Sequence, residues 1–104
     1  MGNTFGTDIL LQSPNPRGTA AFYVERLGFT ITSETPMISM RGPHINLFIM
    51  EGPELGPVLE VTVPNVAQAR KDLIAAGCVV VRDEPHVPRL YVMDPFGLTY
   101  NLTQ

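Results

Sequence analysis

Two stretches of this chain carry the same punctuation in the same order. Asn15-Pro16 and Pro64-Asn65 each follow a short alternating segment and precede an amphipathic one, and Gly28 and Gly77 close the amphipathic segments. Asn is a strong helix N-cap, Pro is favoured in a first helical turn, and Gly accepts the left-handed conformation at a helix end. The first helix is expected over Arg17–Leu27, with Ala20, Tyr23, Val24 and Leu27 on its inner side. The second is expected over Val66–Ala76, with Val66, Ala69, Leu73 and Ala76 inward. Period-two alternation marks a strand before each helix, at Asp8–Ser13 and Val58–Val63. Three strands follow each helix: Phe29–Glu34, Met37–Arg41 and Ile45–Glu51, then Cys78–Arg82, Arg89–Met93 and Leu98–Thr103. Thr35-Pro36, Gly42-Pro43 and the loop Asp83–Pro88 separate them.

A β-α-β-β-β unit written twice limits the chain to few architectures. One such unit has one helix and covers one face of its sheet. Two together predict an α+β fold in which eight strands form a curved sheet, a cup with the helices outside. We expect a single domain over residues 1–104, with module one at about 7–51, a linker at 52–56 and module two at about 57–104.

Composition narrows the partners. Seven Lys+Arg against ten Asp+Glu give a net charge of -3, so the basic footprint of a nucleic-acid binder is missing. No apolar run approaches the roughly 18 residues of a membrane span. One cysteine, Cys78, makes no internal disulfide, and the N-terminus has no basic, apolar leader. A cytoplasmic protein that takes a small-molecule ligand is the expectation.

The Ile-, Leu- and Val-rich face of each sheet should meet its helix, and the mixed face should line the cup. That face holds the candidate ligand-binding residues Gln12, Asn46, Phe48, Met50, Glu60, Arg89, Tyr91, Met93 and Asn101. Aromatic and Met side chains with a few polar groups suit a small organic molecule. Glu60 and Asp8 are the candidate general bases, because a buried carboxylate is available near neutral pH. In a bland reading, Asp8 sits at a frayed strand start and Glu60 pairs with Arg89 or solvent. Arg89 is either an anion clamp or a solvated charge, and Tyr91 could stack on a ring. His44 and His86 fall in loops, where histidines are mostly solvated. Cys78, beside Val79–Val81, reads as a small buried hydrophobe.

The double plan, the Ala-Phe-Tyr…Leu-Gly-Phe string at Ala21–Phe29 and the Asp-Pro-Phe-Gly string at Asp94–Gly97 resemble the vicinal oxygen chelate superfamily. It includes glyoxalase I, bleomycin-resistance proteins, fosfomycin-resistance enzymes and extradiol dioxygenases. The resemblance implies the eight-stranded cup, usually within a homodimer. It also implies metal-ligand positions near Asp8, at Asn46 or Phe48, at Val58 and at Asn101. Val58 has no donor, and Asn46 and Asn101 are weak amide donors, whereas a divalent transition metal needs imidazole, carboxylate or thiolate groups converging on it. The chain is therefore most similar to the metal-free bleomycin-resistance-like members. Their expected function is to sequester an intact antibiotic or metabolite in the cup, with no cofactor. A lyase or isomerase using Glu60 or Asp8 as base, with or without a divalent metal, is the alternative. An interaction module whose cup is closed by its dimer partner is a third reading.

Overall fold

The computed structural model describes residues 2–87 and 89–104. Its elements run β1 (Thr4–Ser13), α1 (Pro16–Leu27), β2 (Thr30–Ser33), β3 (Ile38–Arg41), β4 (Asn46–Glu51), β5 (Leu55–Thr62), α2 (Val66–Ala75), β6 (Val79–Glu84), β7 (Arg89–Met93) and β8 (Thr99–Thr103). The fold is α+β, with the β-α-β-β-β order present twice. Two compact units result: Thr7–Pro57, and Val58–Gln104 with Met1–Gly6.

In the first unit the strand order is β2-β3-β4-β1, with β1 and β4 parallel and the other pairs antiparallel. The caps form as the sequence predicts. Asn15 accepts the Gly18 backbone N–H through Oδ1 at 3.1 Å, and Gly28 takes φ 80° at the C-terminus. Ala20 of α1 seals a core with Ile38, Met40, Leu47 and Ile49, against which Ile9, Tyr23, Val24 and Phe29 pack. Leu27, expected inward, is 60% exposed.

The second unit repeats the pattern as β5-β8-β7-β6, with β5 and β8 parallel. Asn65 caps α2 by accepting the Gln68 N–H at 3.0 Å. Val61, Val63, Leu90, Val92 and Leu102 form the core, and Val66, Ala69, Leu73, Val80 and Tyr100 pack on it. Ala76, expected inward, is the exposed C-cap of α2. At the β7–β8 turn the Asp94 carboxylate accepts the N–H groups of Phe96 (2.9 Å) and Leu98 (3.0 Å), leaving Phe96 94% exposed at the tip.

Three boundaries differ from expectation. β1 begins at Thr4, so Asp8 is a half-buried mid-strand residue and does not sit at a frayed start. β5 begins at Leu55, which takes the last two residues of the expected 52–56 linker into a strand. Asp83 and Glu84, assigned to a loop, end β6, where pairing with β7 outweighs their low strand propensity. Pro88, the end of that expected loop, lies outside the described residues.

Candidate functional site

Strand register decides which side chains share a face. In the first unit Asp8 pairs with Asn46, Leu10 with Phe48 and Gln12 with Met50, while Ile9, Leu47 and Ile49 turn to α1. Asp8, Asn46, Phe48, Gln12 and Met50 therefore lie on the helix-free face, as the alternation predicts. The Asn46 Nδ2 donates to Asp8 Oδ1 at 2.9 Å across the parallel pair. Asn46 and Phe48 line a hollow of about 400 Å³ with Ser39, Arg41 and Thr32. Arg41 enters this face because it pairs with Asn46, and Ser39 because it pairs with Phe48. The hollow thus offers a ring, a carboxamide, a hydroxyl and a guanidinium. Gln12 turns away from it: its Nε2 donates to the Pro53 carbonyl at 2.9 Å, and its chain fills the space where a side chain on Gly52 would stand.

In the second unit the helix-free face is crossed by one continuous row. Glu60 pairs with Asn101, Asn101 with Tyr91 and Tyr91 with Arg82. A neighbouring row brings Val58, Thr99 and Met93 together. Tyr91 is 2% exposed, and this burial raises its hydroxyl pKa above 10.0 despite the opposing charges of Arg89 and Arg82. The guanidinium of Arg82 lies 6.0 Å from the centre of the Tyr91 ring. Asn101 Oδ1 accepts the Leu90 backbone N–H at 3.0 Å. Met93 is 37% exposed at the end of β7.

A pair between Glu60 and Arg89, one of the alternatives left open for Glu60, does not form. Arg89 donates to Glu84 Oε1 at 3.1 Å, and Arg82 reaches the same oxygen at 3.3 Å. Glu60 instead lies over Gly6, whose missing side chain leaves room for the carboxylate: a Cβ there would stand 3.0 Å from Glu60 Oε1. Sequence reasoning missed Arg82 and Glu84. A register shift between Val80 and Arg82 moves Arg82 from the helix side to the helix-free side.

His44 and His86 are exposed, and among the described residues no group of three His, Cys, Asp or Glu side chains could hold a metal ion. Cys78 is buried, with its sulfur 3.6 Å from the Tyr100 hydroxyl. The contact and burial push the Tyr100 pKa up to about 12, burial being the larger cause.

This paired architecture is that of the vicinal oxygen chelate superfamily, which holds glyoxalases, bleomycin-resistance proteins and dioxygenases. The family model described as a glyoxalase-like domain matches residues 8–103, and the chain belongs to that family. Among solved structures, it is similar to a glyoxalase/bleomycin resistance protein/dioxygenase superfamily member from Vibrio splendidus 12B01. The identity is 14% over 95% of this chain and 97% of that one, with a TM-score of 0.62. It is also similar to homoprotocatechuate 2,3-dioxygenase from Brevibacterium fuscum, at 22% identity and TM-score 0.65. Here 98% of this chain matches 36% of the dioxygenase. The Mn(II)-bound glyoxalase from Novosphingobium aromaticivorans is 19% identical over 92% of this chain and 36% of that one, with a TM-score of 0.55. No curated protein matches.

The metal positions implied by the resemblance can be tested residue by residue. Val58 is 2% exposed and carries no donor. The Asn101 oxygen accepts a backbone N–H, and Asp8, which accepts the Asn46 amide through Oδ1, is the one carboxylate among the implied positions. Together the implied positions offer one carboxylate, fewer strong donors than such a metal site usually has.

Proposed function

We infer that the protein binds an intact small organic molecule on its helix-free sheet faces without a metal. The observation that carries this reading is the pair Val58 and Asn101. One of these positions has no donor atom, and the other spends its oxygen on holding β7 to β8. In place of a cation, the faces present groups that recognise organic ligands. These are Phe48 and Asn46 beside Arg41 in the first unit, and Glu60, Asn101 and Arg82, half-buried around the buried Tyr91, in the second. Sequestration of an antibiotic or metabolite follows from such a site when no bond-breaking group is added. A cytoplasmic homodimer is the setting we propose for it.

The test is a thermal-shift screen against divalent metals, antibiotics and 2-oxo metabolites, with metal content of the purified protein measured alongside. A ligand present at 100 times its Kd adds about 2.7 kcal/mol to stability. Stabilisation by an organic ligand with no bound metal is the expected result. One tightly bound metal per chain, with stabilisation by metal alone, overturns the reading.

Glu60 favours a second reading, an enzyme of the lyase or isomerase type. Its carboxylate makes no ion pair among the described residues and shares a row with Asn101 and Tyr91. As a general base it would remove a proton from a bound substrate. Glu60→Gln would then abolish turnover and leave binding intact, and unchanged turnover would exclude that role.

A further inference from the structure

The second unit also contains a cavity of about 500 Å³ on the opposite side of its sheet, beneath α2. Its floor is Val61, Val63 and Leu102, which face the helix, and its roof is Ala69 and Leu73 of α2. The rings of Phe5 and Tyr100 form two further walls. The volume lies in the range of small-molecule sites, and the lining is mostly apolar. Among the described residues, the two carboxylates Asp72 and Asp94 are its charged members, and no Lys, Arg or His lines it.

Both carboxylates are half used. Asp72 Oδ1 accepts the Gln68 amide at 2.9 Å, and Asp94 Oδ1 accepts the two turn N–H groups. Oδ2 of each makes no hydrogen bond or ion pair among the described residues. An apolar chamber with two aromatic rings and two carboxylate oxygens matches one class of ligand. The ammonium of such a ligand would be attracted by the carboxylates and by the ring faces, and its hydrocarbon body would displace water from the valine and leucine walls. We propose that the cavity beneath α2 binds a small organic cation with an apolar body, such as an arylalkylammonium. This site lies on the helix side of the sheet and is separate from the helix-free faces assigned above.

The probe is 2-phenylethylammonium chloride, titrated by calorimetry into the whole protein and followed by amide NMR shifts. Neutral 2-phenylethanol and anionic phenylacetate serve as comparators of similar shape. The ammonium should bind one per chain, about tenfold tighter than the alcohol, while phenylacetate does not bind. Asp72→Asn should weaken the ammonium about tenfold and leave the alcohol unchanged. Ala69→Leu should fill the cavity and abolish binding of both, with circular dichroism confirming the fold. Shifts should centre on Ala69, Leu73 and Leu98. Equal affinity for all three probes, no binding at millimolar ammonium, no effect of Asp72→Asn, or shifts centred on Tyr91 and Asn101 would each overturn the proposal.

Discussion

The side-chain oxygen of Asn101 accepts the backbone N–H of Leu90 at 3.0 Å, so a residue in β8 completes the hydrogen bonding of the strand beside it. Leu90 is buried, and its N–H has no water to turn to when that oxygen is removed. Asn101→Leu should therefore destabilise the protein by about 1–3 kcal/mol. Asn101→Asp, which keeps an acceptor in place, should cost less. Urea denaturation of the two variants measures the difference, and equal losses would show that the bond contributes nothing.

Tyr100 makes stability fall at high pH. Its pKa is raised from 10.0 to about 12 in the folded protein, so the folded chain holds this proton more tightly than the unfolded one does. The stabilisation is complete below pH 10 and is lost as pH rises towards about 12. Melting temperatures recorded from pH 9 upwards should drop across that window. Tyr100→Phe should flatten the drop, and an unaltered slope would assign it to another group.

Glu84 is the shared acceptor of Arg82 and Arg89, and its charge also helps to keep the Tyr91 hydroxyl protonated. Glu84 and Arg82 are about one third exposed and Arg89 is 20% exposed, so Glu84→Gln should cost under about 1 kcal/mol of stability. The same change should lower the Tyr91 pKa, because two guanidinium groups would then face the phenolate with no carboxylate between them. Tyrosine absorbance at alkaline pH, compared with a Tyr91→Phe control, reads the shift.

Gly18 tests the first helix cap. Ala normally stabilises a helix by roughly 0.5–1 kcal/mol over Gly. Here an added Cβ would collide with the Asn15 side chain that caps the helix. Gly18→Ala should therefore forfeit that gain, because losing the cap costs about 1 kcal/mol, and leave stability unchanged or up to about 0.5 kcal/mol lower. The double variant should be little worse than either single one, since both disrupt the same hydrogen bond. Additive losses in denaturation midpoints would contradict the shared cause.

Much of this was legible in the sequence because alternation is a property of neighbours. Ile9, Leu47, Val61 and Leu102 could be assigned to the helix side, and Asp8, Asn46, Glu60 and Tyr91 to the other side, from period two alone. Arg82 defeated that rule because a register shift is one residue of irregularity, invisible to a pattern that assumes none. The preference of Arg89 for Glu84 over Glu60 was equally hidden. It depends on Glu84 continuing β6 opposite Arg89 in β7, and acidic residues near prolines read as a loop. The cavity beneath α2 depends on how closely a helix seats on its sheet, and helical spacing does not encode that distance.

The Asp94 carboxylate locks the β7–β8 turn from below, so the turn keeps its shape without help from Phe96 at its crest. A position that is 94% exposed on so firm a mount is an instrument port. With Cys78 buried, Phe96→Cys would offer a single reactive thiol for a dye. Asp94 and Leu98, on either side of that dye, line the cavity beneath α2, so its emission would report filling of the cavity in real time.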